Sequence, residues 1–79
     1  MEGGSMQSCL ATTRVVEDTC KDARKEDGWE VNHDGDVVTI KADDIVIYSA
    51  IQKGEGSDTW LVWYSNQHFE MFDPTPLDN

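Results

Sequence analysis

The sequence predicts an α+β domain in which one N-terminal helix packs on an antiparallel meander sheet of four to five strands. Two observations predict this fold. Apolar residues recur with a helical period in the first third of the chain, and with the strand period of two after Gly28. All the aromatic residues also lie after Gly28, and large aromatic side chains dominate the cores of small domains. The sheet is therefore expected to build most of the core.

Residues 6–27 are predicted to form the helix. Six apolar residues share one side of its helical wheel, and Gly28 follows as a C-cap. Three acids, Asp18, Asp22 and Glu26, are spaced four residues apart and would stack in a row. The row has two readings, an ordinary solvated helix face or a line of carboxylates that a partner binds. The apolar side of the predicted helix consists of Met6, Cys9, Leu10, Val16, Cys20 and Ala23.

Alternating apolar residues predict strands at 29–33, 36–42, 45–51, 59–64 and 68–72. Asp34-Gly35 is predicted to be a tight hairpin turn, Asp43-Asp44 the next corner, and 52–58 a flexible loop. The third and fourth predicted strands are apolar on both faces, and both faces of such strands must be buried. The second face could be buried by curvature of the sheet, by a second copy of the chain, or by a partner.

The predicted domain spans residues 6–73. Residues 1–5, in front of a second methionine at Met6, are interpreted as a remnant of expression, and residues 74–79, after Pro74, as a loose tail. The sequence contains no apolar run of the 18 or so residues that a membrane span needs, and no signal peptide is visible. Cys9 and Cys20, on one helix, would lie about 16 Å apart, too far for a disulfide. These features favour a reducing cytoplasm.

The charge of the chain limits the classes of molecule that it is expected to bind. Sixteen acidic and six basic residues give a net charge of -10. Binding to nucleic acid or to anionic membrane needs Lys and Arg, so neither is expected, and a basic protein is the natural partner. Two alternatives stay open: the acidity serves only solubility, or it reflects a salt-loving source.

No motif for catalysis, a metal or a cofactor is found. Asn32, Asp34 and Asp36 alternate as in a calcium loop, but Val37 stands at the sixth place, where such a loop needs glycine. Two histidines and two scattered cysteines lack the spacing of a zinc site or of a nucleophile pair. The sequence therefore predicts a protein that is not an enzyme and uses no cofactor.

In size, charge and single-domain α+β character, the chain resembles the small acidic inhibitors that phages deploy against host restriction or CRISPR enzymes. The resemblance lies in composition and not in a shared motif. It implies an inhibitor that acts in the cytoplasm of a bacterial host and presents carboxylates to a basic, nucleic-acid-binding surface as a DNA mimic. A homodimer would also suit this resemblance. The alternative is a homo-oligomeric assembly module that uses the apolar sheet face. The predicted partner-binding residues are Asp18, Asp22, Glu26, Glu30, Asp34, Asp36, Asp43, Asp44, Tyr48 and Trp63.

Overall fold

A computed structural model describes residues 6–69 of the chain. It contains five strands and two helices. In chain order these are β1 (Met6–Thr12), α1 (Thr13–Ala23), β2 (Trp29–Asp34), β3 (Val37–Ala42), β4 (Ile45–Gln52), β5 (Thr59–Ser65) and α2 (Asn66–Phe69).

The strands form one antiparallel sheet in the order β1-β5-β4-β3-β2. Helix α1 packs on one side, which we name the helix-covered face, and we name the opposite side the open face. The predicted α+β class and the antiparallel sheet are confirmed. The predicted order of elements is wrong at both ends, because a strand precedes the helix and a second short helix follows the last strand of the sheet.

Residues 6–12 form a strand and not the first turns of a helix. β1 pairs with β5 along its whole length, from Met6 opposite Ser65 to Thr12 opposite Thr59. Neighbouring apolar residues such as Cys9 and Leu10 fit a helix side, but they also fit a strand that has apolar contacts on both faces. The two-sided apolar character of β5 therefore decides the structure of this segment, because each face of β5 gains a neighbour from β1.

Helix α1 begins after Thr12, whose hydroxyl accepts a hydrogen bond from the Val15 amide at 3.3 Å. The helix ends at Ala23, with Arg24 as its C-cap. Gly28, which was predicted to end the helix, instead lies in the connection to β2 with a positive φ of 85°. The helix is thus shorter than predicted at both ends.

The other predicted strands agree with β2, β3, β4 and β5 to within one residue at each end. The first hairpin loop is Gly35-Asp36 and not Asp34-Gly35, and Gly35 has a φ of 63°, which favours glycine. The predicted strand at 68–72 is wrong at its start, because residues 66–69 form α2, and its residues 70–72 lie outside the described residues. The predicted tail at 74–79 and the remnant at 1–5 also lie outside them.

The core lies between α1 and the sheet. Val16 and Ala23 of α1 are fully buried and belong to one core cluster with residues of β3, β4 and β5. Strong curvature lets one helix cover five strands: the rings of His33 on β2 and Trp60 on β5 lie 6.3 Å apart, although two strands separate β2 from β5 in the sheet. Curvature of the sheet therefore helps to bury the apolar residues of the helix-covered face. It does not bury those of the open face.

The two cysteines lie on different elements, so the prediction that placed both on one helix is wrong. Cys9 is on β1 and Cys20 on α1, and both are free thiols. Burial raises the pKa of each thiol above its usual value. Because the thiolate is the reactive form, both cysteines are poor nucleophiles in this fold.

Candidate interaction surface

The open face carries an apolar row that crosses four strands. Residues directly opposite each other in neighbouring strands point to the same face of a sheet. The strand registers place Asp34 of β2 at the end of this row, next to Val37. From β1 to β3, the row consists of Leu10, Leu61, Ile51 and Val37.

This row is exposed on the β3 and β4 side. Val37 is 38% exposed and Ile51 42%, whereas Leu10 and Leu61 are half-buried. Trp63 lies in the next row, half-buried between Ser8 and Ser49. Within residues 6–69, the buried apolar residues of both helices belong to the core on the helix-covered face. An aromatic side chain beside exposed aliphatic residues is typical of the centre of a protein–protein interface.

Carboxylates border the apolar row at the β2 edge. Asp34 continues the row, Asp36 lies in the adjoining hairpin loop, and Glu30 lies further along β2, opposite Lys41. All four side chains are exposed. Glu30 and Lys41, with Asn32 and Thr39, line a shallow depression of about 220 Å³. The predicted residues Glu30, Asp34, Asp36 and Trp63 therefore lie on or beside the open face.

The acidic row that was predicted along the helix is interrupted in the structure. Asp18 and Asp22 are exposed on α1, but Glu26 lies beyond the end of the helix, so the row stops at Asp22. The Lys25 ammonium lies 4.0 Å from the Asp22 carboxylate. Four of the six basic residues lie in or just after this helix: Arg14, Lys21, Arg24 and Lys25. The surface of α1 thus has mixed charge, and the acidic excess lies at the ends of the strands.

Asp43 and Asp44 occupy the two-residue loop between β3 and β4. Both have a positive φ, 53° and 66°, a conformation that costs free energy for any residue with a Cβ and that Asp tolerates better than most. In two-residue hairpin loops with positive φ at both positions, Asn-Gly is the preferred pair. The chain therefore keeps two neighbouring carboxylates here at some cost to its stability.

Replacing Asp43-Asp44 by Asn-Gly should stabilise the fold. We expect Asp43→Asn with Asp44→Gly to raise the free energy of unfolding by about 1 kcal/mol, because the strained backbone is relieved and two like charges are removed. Urea unfolding measures the change. The control is Asp18→Asn with Asp22→Asn, which removes the same charge without changing backbone strain. An equal gain in both variants would show that repulsion, and not the backbone, causes the effect.

Tyr48 was predicted to face a partner, but the structure places it in the core. Its side chain is fully buried beside Phe69, with the ring centroids 5.2 Å apart. Burial raises the pKa of its hydroxyl, and the neighbouring Thr19 offsets this only in part. A partner cannot contact Tyr48 in this fold. A change in the register of β3 with β4 between Ile40 and Lys41 explains the error, because it breaks the strict alternation of faces there.

The histidines have structural hydrogen bonds. The His68 Nδ1 lies 3.0 Å from the Ser65 hydroxyl, and the His33 Nε2 lies 3.2 Å from the Gly35 carbonyl. Neither hydrogen bond joins a histidine to a cysteine or a carboxylate. Within residues 6–69, no three His, Cys, Asp or Glu side chains are grouped closely enough to hold a metal ion.

Sequence reasoning identified the carboxylates and Trp63 of this surface but not the aliphatic row itself. Leu10 was assigned to a helix, and Leu61, Ile51 and Val37 were assigned to strands without a shared row. The signal was present in the two-sided apolar character of the third and fourth predicted strands. Leu10 joins the row only through the pairing of β1 with β5, which the sequence did not predict.

Comparisons with known proteins identify no relative. No family model, no curated protein and no solved structure matches this chain. In the part of the chain that the structure describes, no helix is long and apolar enough to cross a membrane.

Proposed function

We propose that this chain is an acidic protein-binding inhibitor that docks its open face on a basic, nucleic-acid-binding surface of a partner protein. The observation that carries the proposal is the apolar row of the open face, which nothing within residues 6–69 covers and which Asp34 and Asp36 border, with Glu30 further along β2. An apolar centre with a polar rim is the usual anatomy of a protein–protein interface.

The negative charge of the chain favours a partner with a basic surface. Carboxylates at the rim attract a basic surface and disfavour an acidic one, which affects the rate and specificity of association more than the final affinity. Surfaces that bind nucleic acid are rich in Lys and Arg, so they match both the rim and the net charge of -10. The apolar row supplies the contact that a charged rim alone does not, because exposed ion pairs each contribute little.

The docking surface differs from the helix row that the sequence favoured. Residues 13–27, which contain helix α1, carry five acids and four basic residues, so the charges largely cancel and the field of this surface is weak. The β2–β3 hairpin offers Asp34 and Asp36 beside an apolar row. The proposal therefore assigns the partner to the open face and leaves α1 facing solvent.

The experiment is a binding assay at low and high salt with two matched variants. The tagged chain captures proteins from a bacterial lysate with and without competing DNA, and a captured basic protein is then purified. We expect binding that weakens as salt rises and that DNA competes against. Asp34→Lys with Asp36→Lys should weaken this binding by about tenfold or more, because both charges lie at the contact.

The control is Asp18→Lys with Asp22→Lys, which makes the same change in net charge on α1. If the control weakens binding as much as the hairpin variant does, net charge alone drives the association and the open face is not the docking surface. A partner that is retained at high salt, or capture of the chain alone, would instead favour an assembly module.

A further inference from the structure

The two edges of the sheet differ in how they are protected against pairing with another chain. β2, at one edge, carries Glu30 and Asp34. β1, at the other edge, has the sequence MQSCLAT, without a charged residue, a proline or a glycine. Its pairing with β5 runs through seven consecutive residues without a register shift. Charged residues, prolines and bulges are the usual protections of an edge strand, and β1 has none of them.

Within the described residues, the backbone groups on the outer side of β1 have no partner strand. In an antiparallel pair, alternate residues direct their N–H and C=O groups away from the neighbouring strand. No other segment within residues 6–69 pairs with that side of β1. Met6 is 47% exposed, and Gln7 and Ser8 are also exposed, so the edge is accessible along its first half.

We propose that β1 pairs antiparallel with β1 of a second copy of this chain, which joins two sheets into one sheet of ten strands. Charge distribution favours β1 over β2 as the edge at which two copies can meet. Two chains of net charge -10 repel each other, and β1 is the edge strand that brings no carboxylate of its own to the contact. Antiparallel pairing of a strand with itself is also self-complementary, as a two-fold interface requires.

The geometry of this pairing links it to the open face. The two-fold axis of an antiparallel strand pair is perpendicular to the sheet, so both open faces lie on the same side of the dimer. Leu10 lies on β1 at the end of the apolar row, so the rows of the two copies would end on the two paired strands, on the same side of the dimer. The pairing is independent of the proposed function, but it would double the area that one partner can contact.

The dependence on salt concentration distinguishes this dimer from the binding of a basic partner. Screening weakens the repulsion between two acidic copies, so rising salt should strengthen the dimer, whereas it should weaken binding to a basic partner. A contact through one strand edge is small, so we expect association in the micromolar range or weaker.

Sedimentation equilibrium with two matched lysine variants tests the pairing. Ser8 and Asn32 are exposed at opposite ends of one cross-strand row of the open face, Ser8 on β1 and Asn32 on β2. Ser8→Lys places a charge on the pairing edge and should weaken the dimer at least about tenfold. Asn32→Lys makes the same change in charge and should leave the dimer as strong or slightly stronger.

Hydrogen exchange gives a second measurement that does not depend on a variant. Amides of β1 should exchange more slowly as the concentration of the unmodified chain rises, and those of β2 should not. A chain that is monomeric at high concentration and high salt would overturn the inference. A dimer that Ser8→Lys leaves intact, with β1 exchange independent of concentration, would also overturn it.

Discussion

Replacing Phe69 by alanine should destabilise the domain by about 3–5 kcal/mol, the usual cost of removing a buried phenylalanine. Small domains are marginally stable, with free energies of unfolding that start at about 5 kcal/mol. A large fraction of the Phe69→Ala protein should therefore be unfolded under mild conditions.

The reason lies in the position of Phe69 at the end of the described chain. It is 1% exposed, and its ring lies 5.5 Å from that of Trp29, 5.2 Å from that of Tyr48 and 6.4 Å from that of Tyr64. It therefore joins β2, β4 and β5 on the helix-covered face. Helix α2 has four residues, too few to be stable alone, so Phe69 also holds this turn on the sheet.

Urea unfolding followed by tryptophan fluorescence measures this effect. The matched control is Gln67→Ala, which changes an exposed residue of the same turn and should alter stability by less than about 0.5 kcal/mol. If Phe69→Ala and Gln67→Ala unfold at the same urea concentration, the aromatic cluster does not stabilise the sheet as described.

The sequence predicted four strands well because their patterns are local. In β2, Trp29, Val31 and His33 alternate with polar residues, and the Gly35 loop favours a hairpin, so neighbouring strands were recognised without knowledge of the fold. β1 was missed because its partner, β5, lies far along the chain. Nothing local in residues 6–12 distinguishes a strand with two apolar neighbours from the start of an amphipathic helix.

The candidate surface was predicted in part for the same reason. Asp34, Asp36 and Trp63 were found because turn chemistry and strand alternation place them at a sheet surface. Tyr48 was misplaced because a register shift buries both Ile47 and Tyr48, which are consecutive residues. The acidic row on the helix depended on a helix that continues to residue 27, and α1 ends at Ala23.

Replacing Trp63 by alanine should remove most of the binding to the proposed partner while the domain stays folded. Trp63 is the aromatic residue of the open face, half-buried beside the apolar row. Tryptophans in that setting are frequent hot spots whose loss costs at least about 2 kcal/mol, which is about a 30-fold weaker affinity. The measurement is a titration of the purified partner by calorimetry.

The control for this effect is Ile45→Ala, which removes an apolar side chain that is 62% exposed but lies outside the apolar row. It should leave the affinity nearly unchanged. Thermal unfolding of both variants separates a lost contact from a lost fold, since Trp63→Ala should still unfold cooperatively. If Trp63→Ala binds as tightly as the unchanged chain while Asp34→Lys with Asp36→Lys does not, the partner contacts the carboxylates at the β2 edge and not Trp63. The aromatic side chain of the open face would then add nothing to the affinity, which would contradict docking centred on Trp63.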